Sequence, residues 1–422
     1  MLLEFKVTNF RSIQEPQVLS LVANKDPSLK ESNCLDSGLM AIPKLVKAAV
    51  IYGSNASGKS NLILAMAMMR DVVVNSAVGI REGDKYINII PFLFDPISAE
   101  QPTELEITFL EDGVRYQYGF AINQTRIVKE WLLVYKARKS QRWFEREYNQ
   151  NTDQYDWYFG SHLLDSQRHN LWKESTRANA LFLSTAVNLN SEQLRPIYNW
   201  FFSKLVIIFG GFSIPITATL EYLKNPDNKN KLLTFLQAAD LGITDVEAKV
   251  QKVKRMEVKF DFSGSSTVGV PEDAELPIVN LYHKGANDKK INLLLEHESH
   301  GTQKLFAYAG PLFNVFNDGC VLVVDELESG LHPKMVQFLV NLFYDNELNN
   351  KNAQMIFTTH QTSLLDTDYL RRDQIWFVEK NSSNASVLYP LMDFSPRKSE
   401  NIESGYLQGR FGAIPFLGEM KF

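Results

Sequence analysis

Residues Gly53–Ser60, reading Gly-Ser-Asn-Ala-Ser-Gly-Lys-Ser, constrain this chain more than any other stretch. They satisfy G-x-x-x-x-G-K-[ST] at every fixed position, the pattern of a phosphate-binding loop. Ala48–Tyr52 before them is a short apolar run suited to a buried strand. Leu62, Ile63, Ala65, Met66 and Met69 after them recur at helical spacing. A strand, a glycine turn and a helix in that order aim backbone N–H groups and the positive helix end at an anion. Glycine is needed because the backbone must curl tightly and come close to the ligand. A chance glycine-rich turn is the competing account, and the strand–helix context argues against it. The expected nucleotide site is therefore Gly53, Ser54, Asn55, Ala56, Ser57, Gly58, Lys59, Ser60 and Asn61. Lys59 would reach the β- and γ-phosphates of ATP, and the Ser60 hydroxyl would ligate Mg2+.

With 422 residues the chain has room for two or three domains. Its 45% apolar and 22% charged residues are those of an ordinary globular protein. The net charge of −5 gives no overall basic field to announce nucleic acid, although a local basic face would not show in the sum. Cys34 and Cys320 are far apart and have no metal-ligand spacing. With no secretory leader in Met1–Phe10, they fit a reducing cytoplasm. No apolar run reaches the roughly 18 residues of a membrane helix, so no membrane span is expected.

In chain order, residues 2–8 and Gln17–Ala23 read as strands, and 24–44 as a surface loop. Glu104–Phe109 alternates, Asp112-Gly113 marks a hairpin turn, and strand-like text returns through Tyr116–Ile122 and on to Phe159. This predicts an antiparallel sheet. Residues 161–240 read as mainly helical, with Lys229–Ala239 stopped at Gly242. Thr244–Phe262 is charged and amphipathic, and Ser263–Pro277 a Gly/Ser/Pro-rich loop. Helices are expected at Thr302–Val315 and Pro333–Tyr344, and strands at Cys320–Val324, Gln354–Thr358, Ile375–Glu379 and Ser386–Leu391. Neither a sustained heptad nor an internal repeat is present.

The strand Cys320–Val324 ends in Asp325-Glu326, and Glu328-Ser-Gly-Leu-His-Pro333 follows at once. Strand Met355–Thr358 leads into Thr359-His360, and Glu298-Ser-His-Gly-Thr-Gln303 precedes a helix. In a phosphate-loop enzyme the first carboxylate joins the Mg2+ shell and the second polarises the attacking water.

Phosphate loop, S-x-G-T-Q, apolar-D-E, G-L-H-P and T-T-H, in that order, resemble the ABC-type ATPases, in particular the branch of SMC, RecF and OLD-family proteins. Phe5–Ser12, Phe-Lys-Val-Thr-Asn-Phe-Arg-Ser, is similar to that branch's N-terminal strand. The resemblance implies an α/β ABC-type ATPase head with an antiparallel β-lobe and an inserted mainly helical lobe. It divides the chain into 1–160 (N-terminal half of the head), 161–290 (insertion) and 291–422 (C-terminal half). It implies that Ser299 and Gly301 contact the γ-phosphate held by an opposite subunit, although Glu298, His300 and Thr302 depart from leucine-serine-glycine-glycine-glutamine. It makes Glu326 the base, Asp325 the Mg2+ ligand and His360 the γ-phosphate sensor, and sets Arg11 near the nucleotide. ATP would then glue a head-to-tail dimer, or a higher oligomer, and hydrolysis would release it.

The chain also resembles stand-alone ATPases of bacterial phage-defence gene pairs (abortive-infection and RloA-like). OLD proteins carry a TOPRIM nuclease domain after the ATPase, and the stretch beyond His360 is too short for one. A separate effector, such as a TOPRIM-type nuclease, is the implied partner. A RecF-like clamp on duplex DNA is the alternative; an ABC transporter subunit fits poorly.

His297 and His300 are spaced H-x-x-H with no cysteine near, which is poor for zinc, and His332 reads as a turn residue. The aromatics between Trp131 and Phe202, interleaved with Arg138, Lys139, Arg142 and Arg146, could stack on single-stranded nucleic acid, but core is the simpler account. Lys252, Lys254, Arg255 and Lys259 sit among acids as a solvated face. The apolar tail Tyr406–Leu417 either docks a partner or packs on its own head.

Overall fold

The computed structural model describes residues 1–415 apart from 138, 212–213, 240, 256–257, 261–265, 269–271, 367 and 398–399. Two compact units form: Met1–Phe212 with Asn314–Ser329 and Val336–Phe422, and Ser213–Phe313 with Gly330–Met335.

The first unit is built on two sheets. One is antiparallel, in spatial order Gln154–Phe159, Gln141–Asn149, Ile127–Tyr135, Val114–Ile122, Thr103–Glu111, Leu2–Thr8 and Gln17–Ser20. Period-two alternation makes it: Leu105, Ile107 and Phe109 are buried on one face, and the Asp112-Gly113 turn takes positive φ at both residues, as a tight hairpin requires. The other sheet runs Leu205–Phe209, Val321–Asp325, Gln354–Thr358, Ala48–Tyr52, Ile375–Lys380 and Ser386–Pro390; all neighbours are parallel except the last pair. Every residue of its three central strands is buried, which is why they read as unbroken apolar runs. Buried Gln354 ties the sheets together, exchanging hydrogen bonds with Leu2 and donating to the Val46 carbonyl.

The second unit carries helices Thr217–Leu223 and Asp227–Ala238 and a three-stranded antiparallel sheet, Ile243–Arg255, Glu272–Lys284 and Lys290–Leu294. The 161–290 insertion is therefore not helical throughout. The part of the charged stretch within Ile243–Arg255 enters a long hairpin because Val246-Glu247-Ala248-Lys249-Val250 has the period of a strand. Residues 161–212, including the parallel edge strand Leu205–Phe209, belong to the first unit. The expected loop 24–44 holds most of a second hairpin, Cys34–Leu39 with Ile42–Val46.

Part of the aromatic belt is core: Trp143, Trp172, Trp200 and Phe201 are buried, and so is Arg146, whereas Tyr158 and Phe202 are exposed. Arg138 and the side chains of Lys252, Lys254, Arg255 and Lys259 lie outside the described residues. The tail turns inward. Helix Ile402–Leu407 and the turn after it set Tyr406 against Tyr52 and Phe377, and Phe411 against Phe377. Phe416 and Leu417 lie outside the described residues. No helix among the described residues is long and apolar enough to cross a membrane.

Candidate functional site: the phosphate loop and the carboxylate strand

Strand Ala48–Tyr52 delivers the chain to Gly53, and the loop enters helix Lys59–Asn75 through Gly58 at φ 110°. No side chain caps that helix, so its first N–H groups keep the direction an anion needs. Both fixed glycines are demanded by crowding. A Cβ on Gly53 would lie 2.3 Å from the Val378 carbonyl oxygen, and one on Gly58 would lie 2.1 Å from Ser386 Oγ.

A directed chain of hydrogen bonds braces the loop from behind. Asn61 Nδ2 donates to Ser12 Oγ (2.7 Å), Ser12 and Ser386 share an O···O contact of 2.7 Å, and Ser386 Oγ donates to the Ser57 carbonyl (2.5 Å). Since the Ser386 proton is committed to Ser57, Ser12 is the donor between the two hydroxyls. Buried Lys59 sends Nζ to the Gly53 and Ser54 carbonyls at 2.9 and 3.1 Å. Burial lowers its pKa, and the charges of Asp325, Glu328 and Glu326 work in the opposite sense, which sets all four groups in one electrostatic neighbourhood.

Strand Val321–Asp325 brings in the carboxylates. Thr358 Oγ1 donates to Asp325 Oδ1 at 2.6 Å and accepts from the Glu326 N–H at 2.7 Å. Glu326 is exposed, with φ 53° in the left-handed region that a non-glycine residue seldom adopts. The corner after Leu205–Phe209 is packed against it. Gly210 donates its N–H to the Asp325 carbonyl at 2.7 Å, and a Cβ on Gly211 would lie 2.9 Å from Glu326 Oε2. At the end of the neighbouring strand, the His360 N–H donates to Glu328 Oε1 at 2.7 Å. Desolvation and the Lys59 cation hold the His360 imidazole below its ordinary pKa of 6.5, so the neutral ring predominates at pH 7.

Lys59, Asp325, Glu326 and His360 are thus brought together within the first unit. Arg11 sits beside the brace residue Ser12 in a turn where Asn9 and Arg11 both have positive φ. Asn9 secures that turn, donating to the Ser98 and Gln101 carbonyls and accepting from the Phe92 N–H.

Ser299 and Gly301 belong to the second unit, at the start of helix His300–Asp318. Ser299 is exposed and its Oγ accepts from the Thr302 N–H at 3.2 Å, as a helix cap does. Gly301 runs close to the Gly330 carbonyl, where a Cβ would lie 3.4 Å away. His332 Nδ1 accepts from the Lys334 N–H at 3.2 Å, a local turn contact.

Sequence reasoning passed over Ser12, Ser386, Gly210, Gly211, Glu328 and Thr358. Two signals were available: the hydroxyl that ends strand Gln354–Thr358, and a Gly-Gly pair directly after an apolar run.

Residues 48–366 match the AAA_21 family, described as "AAA domain, putative AbiEii toxin, Type IV TA system". The chain belongs to that family. This AAA_21 protein is a phosphate-loop ATPase by membership, and ATP is the ligand its loop implies. No curated protein matches it. Among solved structures, it is 14% identical to the SMC head domain from Thermotoga maritima, covering 92% of this chain and 98% of that one, with a TM-score of 0.41. It is 11% identical to the Smc head domain with an extended coiled coil bound to the C-terminal domain of ScpA, derived from Pyrococcus furiosus. There the coverage is 93% and 97%, and the TM-score is 0.38. For cbiO1 from Clostridium perfringens, part of the ABC transporter complex cbiONQ, identity is 13%, coverage 53% and 70%, and the TM-score 0.25.

Proposed function

We propose that this AAA_21 protein hydrolyses ATP in the cytoplasm as the regulatory subunit of a bacterial anti-phage defence system. In this reading it controls a separate effector, such as a TOPRIM-type nuclease. The observation that supports this best is the gathering of Lys59, Asp325, Glu326 and His360 around a loop whose helix end is uncapped. The loop N–H groups and Lys59 hold the phosphates. Ser60 and Asp325 offer the hard oxygen donors that Mg2+ takes, so they fit that ion. Mg2+ there would neutralise charge on the phosphate oxygens. Glu326 orients and deprotonates the attacking water, and the neutral His360 ring contacts the γ-phosphate. Exposed Ser299, with Gly301, completes the site of a second copy, so that ATP joins two chains head to tail and its hydrolysis parts them. The family's description, which names a toxin and a toxin–antitoxin system, fits a place in a defence system.

The test is Glu326→Gln, expressed with the neighbouring genes. Turnover is expected to fall about 100- to 10,000-fold, the range for losing a general base. The variant stays dimeric in ATP and Mg2+ and retains a stoichiometric protein partner that Lys59→Ala does not retain. Duplex DNA recovered in place of a protein would favour a repair clamp. A monomer in ATP with neither would end the dimer reading.

A further inference from the structure

The leucine that opens the usual signature loop is replaced here by Glu298, whose largely covered carboxylate needs a partner. Glu298 has one. His283 Nε2 lies 2.6 Å from Glu298 Oε1, with the histidine side chain 24% exposed and the glutamate 10% exposed. His283 sits on strand Glu272–Lys284, paired with Ile243 on one side and Ile291 on the other, so its own position is fixed by two ladders. The main chain of Glu298 is held as well: its carbonyl accepts from Gln303 Nε2 at 2.8 Å and its N–H reaches the Leu295 carbonyl at 3.2 Å. The next residue is Ser299, whose Oγ is 2.8 Å from Thr302 Oγ1.

We infer that His283 is a positioning residue for the signature loop: its bond to Glu298 sets the place from which Ser299 reaches the ATP of a second copy. A leucine would reach this position by packing into an apolar neighbourhood. The glutamate reaches it by one charge-assisted hydrogen bond from the middle strand of a sheet, which is short and directional. The inference rests on the ATP-joined dimer proposed above. It also makes the departures at Glu298 and Thr302 functional replacements, one holding the residue before Ser299 and the other its hydroxyl.

The experiment uses the full chain with Glu326→Gln as the parent, so that ATP persists. Nucleotide affinity of the monomer, ATP-driven dimerisation by sedimentation, and thermal unfolding are measured for the parent and for added His283→Ala, His283→Gln and Glu298→Ala. His283→Ala and Glu298→Ala are expected to weaken dimerisation about tenfold or more, the scale of one hydrogen bond to a charged group. Their nucleotide affinity, which belongs to the phosphate loop, stays within twofold of the parent. His283→Gln, whose amide still donates, recovers most of the dimer. Dimerisation equal to the parent's in His283→Ala overturns the inference. So does a parallel loss of nucleotide affinity and fold, which would make the pair merely structural. A parent that fails to dimerise removes the proposed mechanism itself, a result separable from the first two.

Discussion

Thr358→Val lowers ATP turnover about 100-fold while the protein remains folded and binds ATP nearly as well as the wild type. Valine has the shape of threonine without the hydroxyl, and Thr358 is fully buried, so the substitution deletes hydrogen bonds and little else. That hydroxyl has two tasks. Its proton goes to Asp325 Oδ1 at 2.6 Å, and its lone pair receives the Glu326 N–H at 2.7 Å. Without it the Asp325 carboxylate loses a donor, and the Glu326 N–H loses its acceptor at a residue already strained at φ 53°. Both groups then relax. A displacement of about 1 Å in a reacting group costs on the order of 100-fold in rate. The orphaned buried groups cost about 1–3 kcal/mol of stability, small enough to leave a folded protein. The phosphate contacts belong to the loop and to Lys59 at the start of helix Lys59–Asn75, which make no bond to Thr358, so ATP affinity is spared. Steady-state turnover, nucleotide titration and a melting curve check this together. Thr358→Ser keeps the hydroxyl and should recover most of the rate. Turnover of the valine variant within threefold of wild type would remove Thr358 from the site.

Such a residue was hidden from the sequence for a definite reason. The phosphate loop is legible because the backbone path itself demands Gly53 and Gly58, and because Lys59 and Ser60 follow in fixed register. Helix Pro333–Tyr344 and strand Gln354–Thr358 were legible to the residue, since apolar period and length decide them locally. Leu205–Phe209 was not. Its apolar run also suits a helix, and only its parallel partner Val321–Asp325, far away in sequence, makes it a strand. The brace is harder still, because Ser386 and Ser57 are 329 positions apart and a serine carries no period. The tail allows two readings in one dimension, docking a partner or packing on its own head. The fold chooses the second for Tyr406 and Phe411, whose partners, Tyr52 and Phe377, lie in the same unit.

Glu130→Ala should destabilise the first unit by about 3–5 kcal/mol, the cost of stripping one partner from a buried ion pair. Glu130 and Arg146 are both fully buried. Glu130 Oε2 accepts from Arg146 Nε at 2.9 Å and from the Phe182 N–H at 2.7 Å. Its Oε1 accepts from the Leu183 N–H and from Tyr118 OH, both at 3.0 Å. Four donors converge on one carboxylate, so alanine leaves a buried guanidinium and two helix N–H groups without their acceptor. The damage reaches the nucleotide site through packing. Helix Phe182–Asn188, which Glu130 caps, is bonded to the phosphate-loop helix by Ser184 Oγ and the Val73 carbonyl at 2.5 Å. Denaturant unfolding followed with and without ATP measures both effects. The paired replacement Glu130→Leu with Arg146→Met should be less destabilising than Glu130→Ala alone, since it removes the charge together with its counter-charge. If the pair instead costs more than the single change, the ion pair's role is specific geometry, and the desolvation argument fails. The weaker binding of ATP expected in Glu130→Ala would then trace to a shifted helix Phe182–Asn188, because none of the substituted side chains belongs to the phosphate loop.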